Sequence, residues 1–224
     1  MPLAITDYLP TIQQFLQHWT DAETELGKPI VLNEETSIDT LRDLHEAIAT
    51  AQADTQTAEN ARQAAIQQRE RARKEAIPTG RQVRKAILGL IPDSDPARQL
   101  PAKMPALTDE VAKQLVPLQD VQAIWTEINA SPTGKYPALA PPLVVRVELS
   151  GKEQSATLAQ YQGMVSGLSM SGEAVKIAEQ SLTRAQQARK KSMEQAKAAL
   201  KRYRSAIKGL FPNTSVTVRS LPTL

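Results

Sequence analysis

Ala86-Ile87-Leu88-Gly89-Leu90-Ile91-Pro92 returns later in the chain as Ala206-Ile207-Lys208-Gly209-Leu210-Phe211-Pro212. Other landmarks keep their order around it. Trp19-Thr20-Asp21 matches Trp125-Thr126-Glu127, Pro29-Ile30-Val31 matches Pro142-Leu143-Val144, and Leu100-Pro101 matches Leu221-Pro222. Ordered landmarks at near-constant spacing indicate a duplicated unit rather than shared composition. We read one unit over residues 1–104, ending in a proline-rich linker at 92–105, and a second over 105–224, with the two packed as one domain.

The repeated stretch closes a long helix in each copy. In the first, Leu44, Ala51, Ala58, Ala65 and Ala72 step by seven; in the second, Tyr161, Leu168, Val175, Leu182, Arg189, Ala196, Tyr203 and Leu210 do the same. A sustained seven-residue apolar period keeps one seam toward a partner helix, and alanine on it lets backbones approach closely. Thr36 or Ser37 is the expected cap of the first long helix, and Ser150 with Glu153 has the form of a capping box for the second. Pro78 is expected to kink or break the first, because it removes a donor and crowds the preceding turn. Gly163, Gly167 and Gly172 are expected to bend the second without ending it.

A short helix precedes each long one. The first runs from about Thr11 to Leu26, with Ile12, Phe15, Leu16, Trp19 and Ala22 on one face and Gly27 and Pro29 ending it. The second starts near Thr108 and carries Leu115, Leu118, Val121, Ile124, Trp125 and Ile128. Between short and long helix lie extended pieces, Ile30–Leu32 and the alternating Leu143–Leu149. These are expected to pair with each other or with the tail Ser215–Arg219, which also reads as extended. The fold class is all-α: an elongated, pseudo-twofold helical bundle with minor β structure. Trp19 and Trp125, at matching positions, read as core anchors.

Charge is segregated along the chain. Residues 1–61 hold eleven acids and two bases, and residues 62–85 hold eight bases and two acids. Residues 105–183 hold eight acids and five bases, and residues 184–208 hold nine bases and one acid. Each copy thus begins acidic and ends basic, which favours antiparallel long helices. The gain per exposed pair is only about 0.2–1 kcal/mol, so charge helps select the direction and apolar burial holds the fold.

The chemistry available is narrow. The chain has no cysteine, which removes thiolate metal sites, disulfides and cysteine nucleophiles. His18 and His45 lack the partners, at set spacing, that a metal or a general base requires, and both read as helix-flank residues. Glu34-Glu35 read as acids favouring a helix N-terminus. No glycine-rich phosphate loop and no Gly-x-Ser-x-Gly motif occurs. No enzyme activity, cofactor, metal or small-molecule substrate is therefore expected. Residues 1–7 lack a charged leader followed by an apolar stretch, and no run of about 18 apolar residues exists. We expect no signal peptide and no membrane span, with a cytoplasmic location by default.

What remains is surface. Arg69, Arg73 and Lys74 in the first basic stretch, Arg189, Lys190, Lys191, Lys201 and Arg202 in the second, and Val145 and Val147 on the alternating strand form the candidate interaction surface. The expected function is a non-enzymatic structural or interaction protein, a self-associating assembly subunit bound to protein or to itself. Nucleic-acid binding through the two basic helix halves is the second reading. It rests on phosphate contacts, with Tyr203 alone interleaved to stack a base.

Overall fold

In a computed structural model the protein is described over residues 8–32, 36–132, 134–136, 138, 142–149 and 152–223. Over these residues the chain is all-α with a minor β element. Helix α1 is Tyr8–Leu26, α2 Ile38–Leu90, α3 Asp95–Gln99 and α4 Val111–Ala130; strands β1 (Val145–Leu149) and β2 (Lys152–Ala156) follow, then α5 Leu158–Leu210 and α6 Val216–Arg219. Glu34, Glu35, Ser150 and residues 1–7, all singled out above, lie outside the described residues.

The long helices begin and run for local reasons. Ser37 caps α2: its hydroxyl accepts from the Thr40 amide at 3.2 Å, and Thr40 Oγ1 in turn accepts from the Ser37 amide at 3.4 Å. At α5 the capping box is Thr157 with Gln160, the side-chain Oε1 of Gln160 accepting from the Thr157 amide at 2.8 Å. Glu153, expected in that role, instead lies in β2. Helix α2 continues unbroken through Pro78, and α5 through Gly163, Gly167 and Gly172. A proline inside a helix costs about 3 kcal/mol. Here Ala76, Ile77, Val83 and Ile87 on either side of it are buried, and that packing offsets the loss.

The chain forms two compact units, residues 1–60 with 180–224, and residues 61–179. Each takes material from both residues 1–104 and residues 105–224. In the first unit, α1 buries Ile12, Phe15, Trp19 and Ala22 against Leu41 and Ile48 of α2 and Ala196, Leu200, Tyr203 and Ile207 of α5. Trp19 stacks on Tyr203 with ring centroids 4.3 Å apart, and Phe15 meets Tyr203 edge-on at 6.0 Å. Arg202 donates to Thr36 Oγ1 at 3.1 Å, so the start of α2 lies against the end of α5.

In the second unit, Trp125 and Leu118 of α4 pack with Ile77, Val83 and Ile87 of α2 and Tyr161, Val165 and Leu168 of α5. Arg62 reaches Glu179 at 3.5 Å, while Gly80 sits against Tyr161. As α2 ascends α5 descends, so the pairing is antiparallel, and Ala65 meets Val175 and Ala178 on the seven-residue seam.

Positions that match in the sequence make matching contacts. The Ile30 amide donates to Glu23 Oε1 at 3.0 Å, and the Leu143 amide to Asn129 Oδ1 at 2.9 Å. Arg84 donates to the Pro101 carbonyl at 2.8 Å, and Arg204 to the Pro222 carbonyl at 3.0 Å. The shift that carries Ala86 onto Ala206 also carries Val83 onto Tyr203 and Leu41 onto Tyr161. Each tryptophan therefore meets one tyrosine and one aliphatic residue, contributed in opposite order.

Three segments differ from expectation. The extended pieces do not pair with each other: β1 pairs with β2 in a local antiparallel hairpin, Val145 opposite Ala156. The tail is helical. Val216-Thr217-Val218 has strand character, yet Ser215 accepts from the Val218 amide at 3.1 Å and starts a turn, with Thr217 buried. The linker holds a matching turn, α3, where Ser94 accepts from the Ala97 amide at 3.3 Å and Ala97 and Leu100 are buried.

Candidate interaction surface

The ten residues proposed from sequence divide sharply. Val145 and Val147 are only 4% exposed. Strand alternation turns them, with Ala156, into the core of the second unit and leaves Arg146 and Glu148 outside. As interaction residues they are corrected to core.

Arg73 is likewise not at the surface. It is 8% exposed and fully engaged: Nε donates to Gln114 Oε1 at 3.0 Å, one terminal nitrogen to Glu70 at 2.8 Å, the other to the Asp109 carbonyl at 3.1 Å. Gln114, also buried, donates to the carbonyls of Ala106 at 2.9 Å and Leu107 at 3.2 Å. Together they fix the chain entering α4. Arg81 and Arg84 hold the same loop, donating to the carbonyls of Pro105 at 2.6 Å and Pro101. Arg69 is half-buried with its Nε unpartnered. Of the first basic stretch's proposed residues, Lys74 alone is fully outward. A planar guanidinium suits such multi-carbonyl work, so the arginines here serve the fold.

The second stretch behaves differently. Arg184, Lys190, Lys191, Lys201, Arg202 and Lys208 are exposed, and Arg189 and Lys197 half-buried. Six of them, with Lys197, lie on the side of α5 turned away from its buried Ala196, Ala199, Leu200, Tyr203 and Ile207. Lys190, Lys197, Lys201 and Lys208 follow one another at 7, 4 and 7 residues, the spacing of a single helix face. Among the described residues the ion pair on that face is Lys190 to Glu194 at 4.0 Å, both side chains well exposed. Beside it runs an open groove of about 570 Å³, lined by Val31, Leu32, Lys201, Arg202, Ala206 and Leu210 among others.

An acidic counterpart went unnoticed in the sequence. Asp39, Asp43, Glu46 and Asp54 are exposed on the side of α2 opposite buried Leu41, Ile48, Ala51 and Thr55. Their spacing of 4, 3 and 8 residues again describes one face, and helical phasing of the acids would have found it.

Two residues offered for chemistry are structural. His18 is buried, with Nε2 donating to the Thr217 carbonyl at 2.8 Å and Nδ1 accepting from the Tyr203 hydroxyl at 2.7 Å. The carbonyl can only accept, which sets the ring tautomer. This corrects the helix-flank reading. Tyr203 lies under Trp19 and cannot stack a base. Burial, then Glu23 and Asp21, push its phenol above the ordinary range; burial does the same to Tyr161. Among the described residues no cluster of histidine and acids is placed to hold a metal ion, and no helix is long and apolar enough to cross a membrane. Compared with known proteins, the chain matches no family model, no curated sequence and no solved structure.

Proposed function

We propose that the protein is a non-enzymatic structural or interaction protein, a subunit that associates with further copies of itself, built by tandem duplication of one helical unit. The matched contacts of Arg84 and Arg204, and of Glu23 and Asn129, support the duplication. The observation that carries the functional reading is the outer face of α5 in the first unit. It collects seven cationic side chains whose charges the fold leaves almost unanswered, whereas the interior polar groups described above work on the fold. Long cationic stems covering apolar surface suit a contact face.

Sedimentation velocity and light scattering over a range of concentration and salt test the proposal. Assembly that grows with concentration is expected. A strict monomer that retains nothing from lysate would refute it. Nucleic-acid binding is the second reading, favoured by the same face, since cationic groups along one helix can follow a phosphate backbone. It is weakened by Tyr203, whose ring is occupied by Trp19. Unchanged mobility of duplex and single-stranded DNA and RNA at low salt would remove it.

A further inference from the structure

We infer that the partner of the basic face of α5 is the acidic face of α2 on a second copy of this chain. The inference rests on the self-association proposed above and assigns it a specific pair of surfaces.

Both faces belong to the first unit. Asp39, Asp43, Glu46 and Asp54 point away from the buried side of α2, and Lys190, Lys197, Lys201 and Lys208 point away from the buried side of α5. Each face is therefore turned outward from the core it helps to form. No ion pair joins the two among the described residues: Asp39 pairs with Arg42 at 2.8 Å on its own helix and Lys190 with Glu194 on its own. Charge segregation read along the sequence as intramolecular matching is instead presented to solvent on both sides.

The two faces also agree in length. From Asp39 to Asp54 the helix rises about 22 Å, and from Lys190 to Lys208 about 27 Å. An acidic helix face of one copy can lie along the basic helix face of the next with its charges in reach throughout. Complementary potentials of this kind set partner choice and orientation. Because the two surfaces differ, the contact is heterologous, so each copy keeps one face of each sign free and addition continues into a ring or an open filament. Exposed charges this close together are screened within about 8 Å at physiological salt, which makes the contact salt-sensitive.

Two charge-reversed proteins test this. One carries Lys190→Glu, Lys197→Glu and Lys201→Glu; the other carries Asp43→Lys, Glu46→Lys and Asp54→Lys. All six point away from the buried side of their helix, Lys197 half-buried and the other five exposed, and circular dichroism checks that the helices are intact. At low salt the unaltered chain is expected to form larger species, each reversed protein alone to stay monomeric, and an equimolar mixture to assemble again, because the all-acidic and all-basic versions then meet. Recovery on mixing is a result that misfolding cannot imitate. Assembly of either reversed protein alone, to the extent of the unaltered chain, overturns the surfaces assigned here while leaving self-association standing. A monomeric unaltered chain at every concentration overturns both, and a monomer that shifts duplex DNA at low salt assigns the basic face to nucleic acid instead.

Discussion

Replacing Gly80 by alanine should destabilise the protein, although the same change normally stabilises a helix. In a helix interior alanine is favoured over glycine by about 1 kcal/mol. At Gly80, however, an added Cβ would lie 2.6 Å from the Tyr161 hydroxyl, 2.8 Å from Leu118 Cδ2 and 3.0 Å from Met104 Cε. The Tyr161 hydroxyl cannot swing aside, because it is fully buried and donates to the Leu118 carbonyl at 3.1 Å. Overfilling a closely packed site costs about 1–3 kcal/mol. With two pinned neighbours the upper part of that range applies, and the net loss is about 1–2 kcal/mol.

Gly163 is the control. It lies on the helix that carries Tyr161, and nothing stands within 4 Å of its missing Cβ, so Gly163→Ala should keep the whole gain of about 1 kcal/mol. Urea unfolding followed by the helical circular-dichroism signal separates the two: the midpoint falls for Gly80→Ala and rises for Gly163→Ala. Adding Tyr161→Phe, which removes the nearest atom, should reduce the penalty of Gly80→Ala. A rise in midpoint for Gly80→Ala equal to that for Gly163→Ala would refute the close approach of α2, α4 and α5.

Other perturbations read other parts of the fold. Arg73→Ala strands Gln114 Oε1 and the Asp109 carbonyl, and hydrogen bonds from a charged donor contribute about 1.5–3 kcal/mol; Arg73→Lys should recover little, since an ammonium cannot span three acceptors, and thermal unfolding measures both. Trp19→Ala and Trp125→Ala should each cost about 3–5 kcal/mol by urea titration, and a loss under 1 kcal/mol at either would show that the ring is not an anchor. Alkaline stability should fall early. Tyr161 and Tyr203 hold their protons more tightly folded than unfolded, so their contribution is complete below the ordinary tyrosine value near 10. It is lost above that value at about 1.4 kcal/mol per pH unit for each. Replacing either by phenylalanine should flatten the urea midpoint between pH 9.5 and 11, roughly the window in which unfolded tyrosine ionises.

The sequence was most legible where a long period repeats. Tyr161, Leu168, Val175, Ala196 and Tyr203 are all buried, and the seam they mark is the one along which α5 packs. Local signals were weaker wherever two motifs competed. Ser150 with Glu153 mimics a capping box seven residues before Thr157 with Gln160, which hid the hairpin. Val216 and Val218 favour a strand by composition, but the Ser215 cap and the burial of Thr217 decide for a turn of helix.

Pro78 illustrates a different limit. Its cost is local, while the buried Ile77, Val83 and Ile87 that offset it depend on helices distant in sequence. The same holds for Arg73 and His18. A charge run or a lone histidine says nothing of Gln114, 41 positions away, or of Thr217, 199 positions away. The acidic face of α2 was within reach, since Asp39, Asp43, Glu46 and Asp54 are phased on one side of a helix whose start Ser37 already marks.

The presence of both charged faces in one unit depends on α2 and α5 running in opposite directions, which brings the start of α2 to the end of α5. The chain has no cysteine of its own, so a pair introduced by Thr36→Cys and Arg202→Cys can be linked with a short bis-maleimide. Rapid linkage within single molecules is expected, because Arg202 and Thr36 are hydrogen-bonded neighbours. No linkage there, with linkage instead between Gln82→Cys and Arg202→Cys, the pair that parallel helices would bring together, would contradict it.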